Sequence, residues 1–70
     1  MEEFKLEGRE YIALCDLLKR VGLCESGGHA KQAISEGQAV VDGEVELRKR
    51  CKIRPMQVVE FAGQTVKVVN

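Results

Sequence analysis

Asp42-Gly43 stands between two short runs, Ala39-Val40-Val41 and Glu44-Val45-Glu46, whose composition suits strands. A two-residue hairpin turn of this kind needs positive φ at both central positions, which Asp tolerates and Gly adopts freely. The pair therefore predicts that the chain doubles back at one defined point. A second hairpin is predicted where Val58-Val59-Glu60-Phe61 and Thr65-Val66-Lys67-Val68-Val69 flank Gly63-Gln64. Two hairpins commit the second half of the chain to β structure. With 70 residues in all, there is room for a single small core built from a few well-packed elements.

The first half has a different period. Phe4 and Leu6 alternate with Glu3, Lys5 and Glu7, which predicts a short strand closed by Gly8. From Glu10 to Val21, the residues Tyr11, Leu14, Cys15, Leu18 and Val21 recur at helical spacing on one face, with Leu17 on its flank. Asp16, Lys19 and Arg20 lie opposite, at spacings that favour ion pairs within the helix, and Gly22 follows as a stop. Ser26 has the character of an N-cap for a second helix running to about Glu36. Ala30, Ala33, Ile34 and Gly37 form its inner stripe, small enough for close packing on the first helix. The expected fold class is α+β, a single domain over residues 1–70. In it two packed N-terminal helices are followed by a small, mostly antiparallel sheet.

Between the hairpins runs Arg48-Lys49-Arg50-Cys51-Lys52-Ile53-Arg54, with five bases in seven residues and no acid. The chain as a whole is neutral, with 11 Lys+Arg and 11 Asp+Glu. Residues 1–47 hold five bases and ten acids, and residues 48–70 hold six bases and one acid. The cluster is therefore a local feature on an otherwise acidic body, and it points to an anionic partner with many regularly spaced charges, nucleic acid above all. From Arg50 onward the segment alternates. If it is extended, Cys51 and Ile53 pin it inward while Arg50, Lys52 and Arg54 face water.

Other classes fit less well. No apolar run is long enough to span a membrane, and the first residues lack the pattern of a signal peptide, so a cytoplasmic protein with reduced thiols is expected. A zinc site would require Cys15, Cys24, Cys51 and His29 to converge. There is no Cys-x-x-Cys knuckle, and Cys15 lies on the apolar stripe. Ser26 and His29 lack a third group that would make them a nucleophile and base. With only Phe4, Tyr11 and Phe61 as aromatics, a platform that stacks several bases is not expected. No cofactor, metal, small-molecule substrate or catalytic residue is assigned.

The order helix, helix, Asp-Gly hairpin, basic segment, closing strands resembles the RNA-binding domain first seen in small-subunit ribosomal protein S-four, the alpha-L motif. Leu14, Leu18 and Val21-Gly22-Leu23 are similar to the signature of its first helix. Ser26, Ala30, Ile34 and Gly37 fit the second, Val41-Asp42-Gly43 its Val-Asn-Gly turn, and Val58-Val59-Glu60-Phe61 its closing strand. The likeness runs from Leu14 to Phe61, about two-thirds of the chain. It implies binding of structured RNA (ribosomal RNA, transfer RNA or the ribosome itself) through the second helix and the loops around the hairpin. The short stand-alone bacterial members described as ribosome-associated are the most similar. Where the family has Arg-Leu-Asp at the first helix, this chain has Ala13, Leu14 and Cys15, and where it favours Arg after the helix-two Ser, Gly27 stands.

The expected function is thus non-catalytic RNA binding by backbone and shape. One electropositive face would join the helices to the basic segment, using Ser26, Gly27, Lys31, Arg48, Lys49, Arg50, Lys52 and Arg54. Ser26 and Gly27 would offer free helix N–H groups to a phosphate, and the bases would pair with phosphates at the expense of condensed counterions. The rival is a small protein-interaction adaptor whose basic segment docks an acidic partner. Duplex DNA binding is disfavoured, because the second helix offers only Lys31 and Gln32 as base readers.

Overall fold

The two ends of the chain pair with each other. In the computed structural model, which describes all 70 residues, β1 (Glu2–Lys5) lies parallel to β7 (Gln64–Val69), with Phe4 opposite Val68. Between them come β2 (Ile12–Ala13), α1 (Leu14–Arg20), α2 (Gly27–Ser35), β3 (Ala39–Val41), β4 (Glu44–Val45), β5 (Lys52–Ile53) and β6 (Val58–Phe61). One sheet has the order β1-β7-β6-β3-β4, and a separate two-stranded sheet pairs β2 with β5. All pairings except β1–β7 are antiparallel. The α+β class and the mostly antiparallel sheet agree with the expectation from sequence. The helices are not strictly N-terminal, however, because β1 and β2 precede them.

The core is one cluster of 18 buried residues, all of them apolar. Its two layers follow from the two periods in the sequence. Alternation in β6 and β7 turns Val59, Phe61, Val66 and Val68 inward. On α1, Leu14, Cys15, Leu17 and Leu18 are all buried, so Leu17 belongs to the centre of the core and not to a flank. On α2 the buried residues are Ala30, Ala33 and Ile34, and the small size of the two alanines lets α1 and α2 pack directly. No helix is long and apolar enough to cross a membrane.

The first helix is shorter than its periodicity predicts. Tyr11 is 42% exposed, and Ile12-Ala13 form a strand where helix was expected. The reason is a partner about forty residues away: Ile12 pairs with Ile53 and Ala13 with Lys52. A long-range ladder of this kind leaves no mark on the local hydrophobic period. The C-terminal stop at Gly22 is as expected, with φ at 81°.

The Asp42-Gly43 turn forms as predicted, with φ of 50° and 86°. The second turn lies one residue earlier than expected, at Ala62-Gly63, with φ of 52° and 78° and Phe61 opposite Gln64. Gly63 occupies the second of the two positive-φ positions, which forces Ala62 into the first. An L-residue with a Cβ is strained there, and Asn tolerates the region better. Replacing Ala62 by Asn is expected to raise the free energy of unfolding by about 0.5–1 kcal/mol, read from urea denaturation at pH 7.

Candidate nucleic-acid interface

The basic segment is held in place by backbone hydrogen bonds from β2 and α1. Besides the β2–β5 ladder, the Leu14 N–H donates to the Cys51 carbonyl at 2.8 Å and the Cys15 N–H to the Lys49 carbonyl at 3.1 Å. The first N–H groups of a helix have no partner within it. Here the carbonyls of the cationic loop supply two of those partners. The loop closes on itself through Cys51 N–H to the Arg48 carbonyl at 3.2 Å. Ile53 is fully buried and Cys51 half-buried against the core, while Arg50, Lys52 and Arg54 are exposed, so the alternation read from the sequence holds. Of the two helices expected to join the basic segment, it is the first that holds its backbone. The bonds that fix the segment go to β2 and α1, and α2 packs on α1.

The five bases are not equivalent. Arg48 is clasped by Glu46: its Nε donates to Oε2 at 2.9 Å, its Nη2 to Oε1 at 3.1 Å and its backbone N–H to Oε2 at 2.9 Å. This is the one ion pair in the structure. These hydrogen bonds, the side-chain one first, push the Glu46 carboxyl from 4.5 to about 2, and Glu46 in turn raises the Arg48 guanidinium. Desolvation, followed by the charge of Glu46, pushes the neighbouring Cys51 thiol up. Lys49, Arg50, Lys52 and Arg54 have no carboxylate partner.

Lys52 and Arg54 lie over the ring of Tyr11, with Nζ 5.0 Å and the guanidinium carbon 5.8 Å from its centroid. Contacts of this type are worth about 0.5–1 kcal/mol at exposed sites. Sequence reasoning placed Tyr11 on the apolar stripe of a helix and missed this role, because the helical period continues through it by coincidence. The backbone of Arg54 is fixed as well. Its N–H donates to Gln57 Oε1 at 2.8 Å, Gln57 Nε2 donates to Asp42 Oδ2 at 2.9 Å, and the Val58 N–H donates to Asp42 Oδ1 at 2.9 Å. Two acceptor oxygens are needed at position 42. A carboxylate has both, whereas an amide has one, which accounts for Asp where the turn pattern has Asn. The Val58 N–H and then Gln57 lower the Asp42 carboxyl.

On α2, Ser26 is the N-cap, its Oγ accepting from the His29 N–H at 3.1 Å, and His29 Nδ1 accepts from the Glu25 N–H at 3.3 Å. Gly27 has nothing within 4 Å of where a Cβ would sit. Lys31 is exposed and unpaired. The ion pairs expected between Asp16 and Lys19 or Arg20 do not form. Instead Lys19 and Arg20 line an open groove with Arg9, Ile12 and Asp16. Arg9 is steadied by its Nε donating to the Leu6 carbonyl at 3.1 Å and by the Phe4 ring 6.0 Å away. Arg9 stands ten residues before the adjacent pair Lys19-Arg20, so no local charge run marked the three as a group. Two groups of cations thus adjoin β2, Lys52 and Arg54 at Tyr11 and the groove at Ile12. No group of three or more His, Cys, Asp or Glu side chains is placed to hold a metal ion, and the three cysteines are free thiols.

This arrangement agrees with what the chain is similar to. The S4 domain profile matches residues 4–69. The chain belongs to the S4 domain family. The match extends beyond the stretch from Leu14 to Phe61 and takes in the second half of β1 and all of β7. YbcJ of Escherichia coli (strain K12), named as a candidate RNA-binding protein, is 56% identical over 69 residues, covering 99% of each chain. YbcJ of Shigella flexneri, named as uncharacterised, matches to the same extent. The solution structure of the E. coli protein, described as revealing an alpha-L motif involved in RNA binding, superposes with a TM-score of 0.77. That match covers 100% of this chain and 89% of the other.

The depressed Glu46 carboxyl makes stability depend on pH in a defined direction. A carboxyl whose pKa falls on folding stabilises the native state fully above its ordinary value, and this contribution is lost as pH falls through the folded value. For Glu46 the window runs from 4.5 down to about 2, and Asp42 acts in the same sense. In urea denaturation, the parent is expected to lose more stability between pH 6 and pH 3 than Glu46→Gln does.

Proposed function

We propose that this protein is a non-catalytic RNA-binding module of the bacterial cytoplasm that grips folded ribosomal or transfer RNA by backbone and shape. The observation that carries the reading is the immobilised cationic strip. Lys49, Arg50, Lys52 and Arg54 are free of carboxylates and sit on a segment whose backbone is bonded to β2 and α1. Cations on a fixed backbone meet phosphates without the cost of ordering the main chain, and each phosphate neutralised releases condensed counterion. Membership of the S4 domain family and the RNA-binding description of the E. coli relative's structure support the same reading. In this reading the groove of Arg9, Lys19 and Arg20 extends the strip, and Lys31 with the helix start at Ser26-Gly27 adds a further contact. Arg48 contributes least in the free protein, because Glu46 already holds it.

Replacing Lys49 and Arg50 by Glu tests the strip without touching the core, since both are exposed. With ribosomal RNA fragments between 50 and 200 mM salt, the double variant is expected to bind at least about tenfold more weakly at the low-salt end. Its slope of log affinity against log salt should be smaller by about 1.4–1.8, the contribution of two phosphate contacts. Unchanged affinity and slope would falsify the reading. A gain-of-function variant complements it. Gly27 has an ordinary φ and open space around it, so Gly27→Arg is expected to leave the melting temperature unchanged or higher and to tighten RNA binding several-fold in the same assay.

A further inference from the structure

Tyr11 is the one exposed large aromatic side chain; Phe61 is buried and Phe4 half-buried. Its place in the chain is rigid, because the next two residues are buried and paired with β5. An exposed aromatic ring on a fixed backbone, with two cations over it, has the parts needed to receive a single nucleotide: a flat π surface for the base and positive charge for the phosphates on either side. Lys52 and Arg54 occupy alternate positions of one extended segment. Their Cα atoms are therefore separated by about 6.6 Å at the strand rise of 3.3 Å per residue, on the scale of the step between successive phosphates of an extended nucleotide chain.

We propose that Tyr11, Lys52 and Arg54 form a pocket for one unpaired nucleotide of the bound RNA, with its base stacked on the Tyr11 ring and its flanking phosphates on the two cations. This rests on the RNA-binding reading above and adds to it a preference for RNA with an extruded, bulged or loop nucleotide over continuous duplex. In the free protein the cations cover the ring. A charge-assisted bond to phosphate is stronger than an exposed contact with a ring, so the phosphates draw Lys52 and Arg54 away and leave the ring for the base. Unpaired bases are the features of folded RNA that proteins reach by stacking, since those in A-form duplex are inaccessible. A single ring accommodates a single base, in keeping with the scarcity of aromatics in this chain.

The chain provides its own probe. It contains one Tyr and no Trp, so tyrosine emission reports on this position alone. The experiment compares an RNA hairpin carrying one bulged nucleotide with the same hairpin fully paired, using the parent, Tyr11→Leu and Tyr11→Phe. The parent's emission, corrected for absorption against free tyrosine, is expected to be quenched by the bulged RNA and much less by the paired one. Tyr11→Leu should weaken binding to the bulged RNA roughly 5- to 150-fold, the range for loss of one base–aromatic stack. It should bind the paired RNA as the parent does, and Tyr11→Phe should keep the preference. Circular dichroism checks that Tyr11→Leu is folded, and the quenching of the unaltered protein does not depend on that variant. Equal binding of both RNAs by the parent, or bulged-RNA affinity unaffected by Tyr11→Leu with no quenching at saturation, overturns the nucleotide pocket and leaves the phosphate-gripping strip intact. A parent that binds neither RNA overturns both.

Discussion

The short ladder between Ile12-Ala13 and Lys52-Ile53 is the contact on which the site depends. It involves two residues on each side, yet it sets where α1 begins, buries Ile12 and Ile53, and brings the carbonyls of Lys49 and Cys51 onto the open N–H groups of the helix. Without it, the stretch from Arg48 to Arg54 would be a flexible basic loop, and ordering it on RNA would consume conformational entropy at the moment of binding. With it, the cations stand on a fixed backbone before any partner arrives.

Acidic residues take part in this construction. Asp42 ties the first hairpin turn to Gln57 and Val58, and through Gln57 to the backbone of Arg54. Glu46 clasps Arg48 at the other end of the basic segment. The strip is thus framed at both ends by a carboxylate that organises the chain around it, while the four bases between remain free. Like charges crowded on one loop repel each other and disfavour folding. One neutralised arginine and two carboxylates near the ends of the run reduce that repulsion, and the same bonds make the frame sensitive to acid.

Much of the fold was legible from single residues. Asp42-Gly43 marked its turn because positive φ at two successive positions admits few residue types. Ser26 marked a helix start because its short side chain reaches the free N–H of His29. The alternation of Cys51 and Ile53 with Arg50, Lys52 and Arg54 gave the correct inward and outward faces of the basic segment. The errors share a habit of reading. Tyr11 was read as helical, the second turn was placed one residue late, and Lys19 and Arg20 were paired with Asp16. In each case a local pattern was extrapolated; for Tyr11 it was the β2–β5 pairing about forty residues away that decided otherwise.

Local chemistry in the sequence determined the element types, the concentration of positive charge and the resemblance to an RNA-binding family, because turns, caps and charge runs act over a few residues. Only the tertiary structure decided which helix the cations stand beside, that Glu46 removes Arg48 from the free set, and that Tyr11 lies beneath Lys52 and Arg54. The first and last depend on backbone pairing between segments about forty residues apart, and the Glu46–Arg48 clasp on how the chain bends after β4; none leaves a periodic trace in the order of the amino acids.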